Sequence, residues 1–307
     1  MPSTLRLPTQ FVAVLLPWRT AGAVVIAGCA AVGAVAQSET SAEALRARHA
    51  ELAPQLARNV FNRPLVLEST EDANQLSGNI YAVIERPFAQ VSTSLRQPAN
   101  WCEVLMLHLN TKHCAVETGT AGTVLAVNVG RKFDQPLDKT QKVAFAYAVP
   151  SAGDQFLDVR LRADKGPLST RDYRIGFVAT PLGSGKTFLH LRYAYAYGTA
   201  ARLAMQGYLA TLGSDKVGFT PTRSADGATQ GLIGGVRGVV ERNTMRYYLA
   251  IDAFLASLSR PAGEQRDYRT AAWFDATEQY ATQLHEVSRA DYLAMKTSEF
   301  QRMESLR

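Results

Sequence analysis

Six consecutive segments of alternating residues between positions 111 and 197 constrain the fold of this chain more than any other feature. They are rich in β-branched and aromatic residues, and Gly, Pro and Asp separate them. The segments cover residues 111–117, 123–132, 142–149, 156–163, 171–180 and 187–197. Because short turns join them, neighbouring strands must run in opposite directions. The pattern therefore predicts an antiparallel meander.

The last of these segments separates two kinds of side chain, because alternate residues of a strand point to opposite faces. One face carries Leu189, Leu191, Tyr193, Tyr195 and Tyr197. The other face carries Phe188, His190, Arg192, Ala194 and Ala196. We expect the leucine and tyrosine face to point inward. The matching inward faces of the preceding segments are Tyr173, Ile175, Phe177 and Ala179; Leu157, Val159 and Leu161; and Val143, Phe145, Tyr147 and Val149.

Several of these inward residues are tyrosines, so they carry hydroxyl groups into an apolar interior. A buried hydroxyl must find a hydrogen-bond partner in the protein, in water or in a ligand. Such a lining predicts a cavity for an amphipathic molecule. The alternative is a closed core in which the tips of the tyrosines lie at the rim of the sheet.

Helical patterns surround the meander on both sides. Apolar residues at helical spacing predict a helix over residues 41–60, with Ser41 as N-cap and a kink at Pro54. A strand is predicted over residues 77–85, followed by two short helices that are broken at Gln97 and Pro98. Four further helical patterns cover residues 199–212, 236–258, 265–287 and 290–303. The pattern at 236–258 is a long apolar stripe.

This order of elements resembles the START-like superfamily over residues 77–258. The residues that carry the resemblance are Pro87, Phe88, Ala89, Gln90 and Val91, then Leu95 and Pro98 to Trp101, and finally Glu241, Arg242 and Asn243 at the head of the last helix. An insertion at residues 200–229 departs from the simplest members. The resemblance implies an α+β helix-grip fold, in which a curved antiparallel sheet wraps around a long C-terminal helix.

The resemblance also implies a ligand between the sheet and the final helix. The candidate cavity residues are Tyr147, Tyr173, Phe177, Leu189, Leu191, Tyr193, Tyr195, Tyr197, Asn243, Tyr247 and Ile251. The chain then divides into a signal peptide at 1–36, an N-terminal helical segment at 37–76, a START-like domain at 77–260 and a C-terminal helical extension at 261–307.

The first 36 residues have the composition of a secretory signal peptide. Arg6 and Arg19 precede an uncharged run at 21–36, which is too short to span a membrane. The small residues before Ala36 predict cleavage between Ala36 and Gln37. The alternative is a bacterial lipobox that ends at Cys29, which would carry the lipid. We expect a periplasmic or secreted protein, or an outer-membrane lipoprotein if Cys29 is modified.

The expected cellular compartment predicts how the cysteines pair. Of three cysteines, Cys29 is removed or lipidated, so Cys102 and Cys114 are an even pair in an oxidising compartment. We expect them to form a disulfide. The alternative is a pair of reduced, buried thiols.

Other chemical motifs are weak. The run from Gly183 to Thr187 ends like a phosphate-binding loop, but residue 180 is Thr180 rather than Gly, and Lys186 opens a strand rather than a helix. The five histidines lack the spacing of a metal site, and no Gly-x-Ser-x-Gly motif occurs. No run of Lys and Arg would follow a nucleic acid. We expect no nucleotide, nucleic acid, metal or other cofactor.

Three functions fit these observations. The first is a binding protein that holds a lipid or other hydrophobic small molecule without covalent chemistry. The second is a cyclase or hydrolase in which the cavity tyrosines with Arg242 or His190 polarise a substrate carbonyl. The third is an envelope scaffold whose C-terminal helices bind a membrane surface or an envelope protein. Trp273, Phe274, Tyr280 and Leu284 in these helices must pack on the domain or on such a partner.

Overall fold

An eight-stranded antiparallel sheet organises the computed structural model, which describes residues 41–72, 74–198, 207, 216–224 and 226–306. The strand order is β1-β2-β8-β7-β6-β5-β4-β3. The bounds are β1 Leu65–Glu71, β2 Gln75–Ile84, β3 Thr111–Gly119, β4 Gly122–Val129, β5 Gln141–Ala152, β6 Leu157–Lys165, β7 Thr170–Leu182 and β8 Lys186–Tyr197. A separate two-stranded sheet joins β9 Pro221–Arg223 to β10 Thr229–Leu232. The predicted meander is present as β3 to β8.

Seven α-helices accompany the sheet within the described residues. Their bounds are α1 Ala42–Ala57, α2 Phe88–Leu95, α3 Pro98–Met106, α4 Gly235–Ser257, α5 Gln265–Glu278, α6 Ala281–Leu284 and α7 Arg289–Ser305. The break predicted at Gln97 and Pro98 separates α2 from α3, because Pro98 occupies the first turn of the new helix. Helix α4 packs on β1, β2, β8 and α3. This arrangement is the helix-grip fold, as the sequence implied.

The two faces of the sheet carry different layers. Leu189, Leu191 and Tyr193 belong to the main core with α4, whereas Phe188 belongs to a smaller core beneath α1. The alternation predicted for β8 is therefore confirmed. On the outer face, Phe188 contacts His49 of α1 edge-on, with 4.8 Å between ring centroids.

Strand β1 corrects the sequence analysis, which treated residues 37–76 as a helical segment. Among the described residues of this range only α1 is helical, and Ser41 caps it by accepting a hydrogen bond from the Ala44 amide. Residues 65–71 pair with β2 at the edge of the sheet. Leu65 and Val66 are both buried because layers cover both faces of this strand. Consecutive buried residues hide the alternation that identifies a strand.

The C-terminal extension packs on the domain. Trp273 and Leu284 are fully buried, and Tyr280 donates a hydrogen bond to the Phe61 carbonyl at 2.8 Å. Tyr292 of α7 stacks on Trp273 and donates to the Leu107 carbonyl. The apolar residues of the C-terminal extension therefore pack against the rest of the chain.

The glycine-rich run at 183–187 forms the β7–β8 hairpin turn rather than a phosphate-binding loop. Ser184 and Gly185 have positive φ values of 66° and 71°, which the tight turn requires. Lys186 begins β8 and pairs with Glu85 at 2.7 Å.

Cys102 in α3 and Cys114 in β3 form a buried disulfide. The predictions for Cys29, Ala36 and Gln37 lie outside the described residues, as does nearly all of the helix predicted at 199–212. Within the described part of the chain, no helix has the length and apolar character of a membrane span. The same residues contain no group of three or more His, Cys, Asp or Glu side chains that could hold a metal ion.

Candidate ligand-binding cavity

A cavity of about 490 Å³ lies between the inner face of the sheet and the N-terminal half of α4. It is lined by side chains from several strands, from α4 and from the segment that follows α6. Six residues proposed from the sequence border it: Tyr173, Tyr193, Tyr195, Tyr197, Asn243 and Tyr247. The sequence pattern therefore located one wall of the cavity.

The other five proposed residues belong to the packed core and do not border this cavity: Tyr147, Phe177, Leu189, Leu191 and Ile251. Helices α2 and α3 fill that half of the inner face. The Trp101 ring meets Phe177 edge-on, and the Tyr147 hydroxyl donates to the Leu95 carbonyl at 3.3 Å. The inward direction of these residues was predicted, but the sequence did not show how far the helices extend over the sheet.

Gly78 allows α4 to pack closely on the sheet. A Cβ atom at this position would lie 2.1 Å from the Thr244 hydroxyl oxygen of α4. Gly78 pairs with Tyr193 across the β2–β8 ladder. Close contact at this point places the N-terminal half of α4 over the end of β8 that carries the cavity tyrosines.

The tyrosines form a continuous aromatic wall. Tyr173 stacks on Tyr195 with 5.2 Å between ring centroids, and Tyr193 contacts Tyr247 of α4 at the same centroid distance of 5.2 Å. The Tyr173 hydroxyl is within 2.8 Å of the Thr170 hydroxyl. Burial raises the pKa of Tyr173 and raises that of Tyr193 further, so both phenols are neutral at physiological pH.

His108 is a cavity residue that the sequence analysis did not identify. Its ring is stacked on Tyr247 with 5.1 Å between centroids and is buried. The backbone N–H of Asn110 donates to His108 Nδ1 at 3.2 Å, so the neutral ring carries its proton on Nε2. No described atom meets hydrogen-bond geometry with Nε2. His108 follows α3 in a short turn, and no local pattern distinguishes it from a core histidine.

The charge state of His108 follows from its surroundings. Burial holds its pKa well below the usual value, and the nearby charges of Arg246 and Lys296 act in the same direction. The side chain of Asn243 acts in the opposite direction but does not outweigh them. The ring is therefore neutral at physiological pH.

Three cations meet one carboxylate at the polar end of the cavity. Glu286 lies 2.9 Å from Arg246, 2.6 Å from Lys132 and 3.3 Å from Lys216. Burial raises the pKa of Glu286, but Arg246 and Lys132 outweigh this effect and lower it. These four residues are far apart in the sequence, so no local motif could have identified them. Arg242, which the sequence analysis considered as a catalytic group, also borders the cavity.

His190 lies on the opposite side of the sheet. It is stacked on Tyr81 at 4.2 Å, and its Nε2 atom is 3.0 Å from the Asn79 side-chain oxygen. This agrees with the outward face predicted for it. The catalytic role considered for His190 is therefore wrong, because the side chain cannot reach a ligand in the cavity.

No family model matches the sequence, and no curated protein matches it. Solved structures with similar folds include norcoclaurine synthase from Thalictrum flavum, with 13% identity, a TM-score of 0.33, and coverage of 47% of this chain and 93% of that chain. The Zhui aromatase/cyclase from Streptomyces sp. R1128 has 14% identity, a TM-score of 0.35, and coverage of 62% and 98%. Human StAR-related lipid transfer protein 5 has 11% identity, a TM-score of 0.31, and coverage of 56% and 91%.

Likeness at these values does not assign a function, which must follow from the cavity itself. The sheet order and the position of α4 in the structure define the architecture. This chain has the helix-grip fold and, in the order of its elements, resembles the START-like superfamily.

Proposed function

We propose that this protein binds a hydrophobic small molecule or lipid in the cavity between the sheet and α4, without covalent chemistry. The observation that carries the proposal is a cavity of about 490 Å³ with apolar walls and polar groups at one end. Small-molecule sites have volumes of roughly 300–1,000 Å³ and combine such walls with a few placed polar groups. The space lies beside the N-terminal half of α4, which contributes Val236, Val239 and Asn243 to the cavity lining.

The state of His108 favours binding over general-base catalysis. A base must present a free lone pair to the substrate, whereas His108 Nδ1 already accepts a hydrogen bond from Asn110. The Nε2 atom therefore presents a donor. The low pKa of the ring also makes it a weak base. The cyclase or hydrolase alternative retains Arg242 and the tyrosines, which can polarise a carbonyl but cannot abstract a proton while they are neutral or cationic.

Mass spectrometry of small molecules that co-purify with the folded protein tests the proposal. We expect an amphipathic compound at a stoichiometric level in the unmodified protein. Val239→Trp should reduce this level because Val239 borders the cavity, whereas Val116→Trp, an exposed position on β3, should not. Equal retention of the compound by both folded variants would contradict binding at this site.

We further propose that the chain is exported and then processed, either after Ala36 or at Cys29. The disulfide between Cys102 and Cys114 supports this proposal, because structural disulfides persist in oxidising compartments. N-terminal sequencing of the envelope fraction should give a start at Gln37, or a lipidated Cys29. A cytoplasmic protein that begins at Met1 would contradict both routes. Contact with an envelope protein through α5 to α7 has no specific observation in its favour.

A further inference from the structure

We propose that the ligand is an anionic amphiphile whose carboxylate or phosphate head group binds at Arg246, His108 and Lys132, while its hydrocarbon tail lies along the apolar strand residues. This inference rests on the proposed function and specifies its ligand class. Its evidence is a set of buried donors and an excess of positive charge, both at one end of the cavity.

Two buried N–H groups at this end have no partner in full hydrogen-bond geometry among the described residues, although the Asn243 side chain lies close enough to His108 to interact with its ring. They are Arg246 Nε and His108 Nε2, on side chains that are 4% and 5% exposed. An unsatisfied buried donor is unfavourable, and more so when the group is charged. Both side chains border the cavity. A head group with two or more acceptor oxygens could accept hydrogen bonds from both.

The local charge also favours an anion. Arg246, Lys132 and Lys216 all pair with Glu286, which is the one carboxylate among the described residues that line the cavity. Burial lowers the pKa of Arg246 and of Lys132, and Glu286 compensates only in part. With an anionic head group bound beside Glu286, two negative charges would face the three cations, instead of one. Charge-assisted hydrogen bonds of this kind are stronger than those between neutral groups.

The remaining walls provide a place for a hydrocarbon tail. Val127, Val129, Val143 and Phe145 line the cavity from neighbouring strands β4 and β5. Burial of a hydrocarbon chain against them would be favourable in proportion to the apolar area removed from water. The polar groups of the cavity therefore lie apart from its apolar walls, as the head group of an amphiphile lies apart from its tail.

Glu286 is the internal competitor of the proposed head group. Its carboxylate occupies one side of Arg246, at 2.9 Å, without engaging the Nε atom. A ligand anion must approach against the repulsion of this carboxylate. Removal of the Glu286 charge should therefore strengthen binding of an anion and leave binding of a neutral amphiphile nearly unchanged.

Isothermal titration calorimetry on the delipidated full-length protein, with probes that share one hydrocarbon tail, tests the inference. The probes are dodecanoate, dodecyl phosphate and dodecanol, each below its aggregation concentration. We expect at least one anionic probe to bind about ten- to hundredfold more tightly than dodecanol, the range that one or two charge-assisted hydrogen bonds provide. The two anionic probes distinguish a carboxylate head from a phosphate head.

Substitutions locate the head group. Lys132→Gln should weaken binding of the preferred anion several-fold, and Glu286→Gln should strengthen it, while dodecanol affinity stays constant in both. Lys142→Gln is the matched control, because Lys142 pairs with Glu117 on the exposed surface. The Lys132 side chain is 36% exposed, so Lys132→Gln tests the inference without an Arg246 variant that could fail to fold. Glu286 is buried and carries three ion pairs, so circular dichroism must first show that Glu286→Gln is folded.

The outcomes separate the two levels of the proposal. If all three probes bind with equal affinity, the anionic head group is overturned and the hydrophobic cavity stands. If none binds to the folded, delipidated protein, the proposed function itself is overturned. An anion preference that persists unchanged in Lys132→Gln and Glu286→Gln would place the head group elsewhere and would also overturn the inference.

Discussion

At the scale of single residues, the most unusual feature outside the cavity is a fully buried cluster of two lysines and one glutamate. Glu299 pairs with Lys112 and with Lys296, each at 2.7 Å. Lys296 also donates to the carbonyls of His108 and Thr111. The hydrogen bonds satisfy both ammonium groups, but one positive charge in the cluster has no carboxylate of its own. Burial therefore lowers the pKa of Lys296 to about 8.

This pKa predicts how stability depends on pH. In the unfolded chain the pKa of Lys296 is about 10.5, so between pH 8 and pH 10 the unfolded state binds more protons than the folded state. The free energy of unfolding should therefore rise with pH across this window, by about 2 kcal/mol from this group. Urea titrations at several pH values measure the rise.

Lys296→Met should remove most of the pH-dependent increase, whereas Lys139→Met, at an exposed position, should leave it intact. The lowered pKa values of Lys112 and Lys132 would account for a remainder. Stability that falls between pH 8 and pH 10 in the unmodified protein would contradict the prediction.

At the scale of elements, the contact between α4 and β2 fixes how closely the helix approaches the sheet beside the cavity. Gly78 allows Thr244 to lie directly on the sheet, and Thr244 donates its hydroxyl to the Val240 carbonyl within the helix. The helix is held close at this point, while its N-terminal half bears the cavity residues Asn243, Val239 and Val236. Substitution of Gly78 should therefore shift the N-terminal half of α4, which borders the cavity.

Gly78→Ala should destabilise the protein by about 1–3 kcal/mol, because the added methyl group overlaps the Thr244 side chain. Thermal or chemical denaturation measures this loss. Addition of Thr244→Ala should restore part of it by removing the hydroxyl. Gly176→Ala is the control, since its nearest atom would be 4.0 Å from the new Cβ. Equal effects at Gly78 and Gly176 would show that close packing of α4 is not the cause.

The disulfide joins α3 to β3 and closes a loop with a sequence separation of 12. For a loop of this size, the chain-entropy model predicts a contribution of about 3 kcal/mol. A double Cys102→Ser and Cys114→Ser variant should lose stability by an amount of this order in denaturant titrations. Non-reducing peptide mapping of the unmodified protein should recover the two cysteines in one linked peptide. Free thiols at both positions in exported material would contradict the pairing.

At the scale of the whole molecule, the C-terminal extension is part of the folded unit rather than an appendage. Trp273 donates its indole N–H to the Arg246 carbonyl of α4 at 3.0 Å, and the segment after α6 brings Glu286 to the cavity. The extension therefore covers the core and contributes to the polar end of the candidate site. A domain that ended at residue 260 would lack both contributions.

Truncation after Pro261 should lower the melting temperature or the yield of soluble protein, because it exposes the surface beneath Trp273, Phe274 and Leu284. Differential scanning fluorimetry measures the change. A control truncation after Ser305, beyond which Leu306 is exposed, should behave like the full-length protein. A truncated protein of unchanged stability would contradict the structural role of the extension.

Local patterns in the sequence determined the elements and the directions of their side chains. The six-strand meander, the break at Pro98 and the inward faces of β5 to β8 all follow from residue periodicity, because they depend on neighbours in the chain. The same patterns missed β1, since burial on both faces removes the alternation. They also overestimated the extent of the cavity, because the area that α2 and α3 cover is not encoded in any one segment.

Only the tertiary structure decided the chemistry of the cavity. Lys132, Arg246 and Glu286 come from a loop after β4, a helix and a loop after α6, and they meet because the extension folds back over α4. His108 likewise becomes a buried donor through its stacking on Tyr247 and its bond to Asn110. A sequence specifies such a site only through contacts between distant segments, so periodicity identifies the tyrosine wall, whereas the charged end emerges only when the chain is folded.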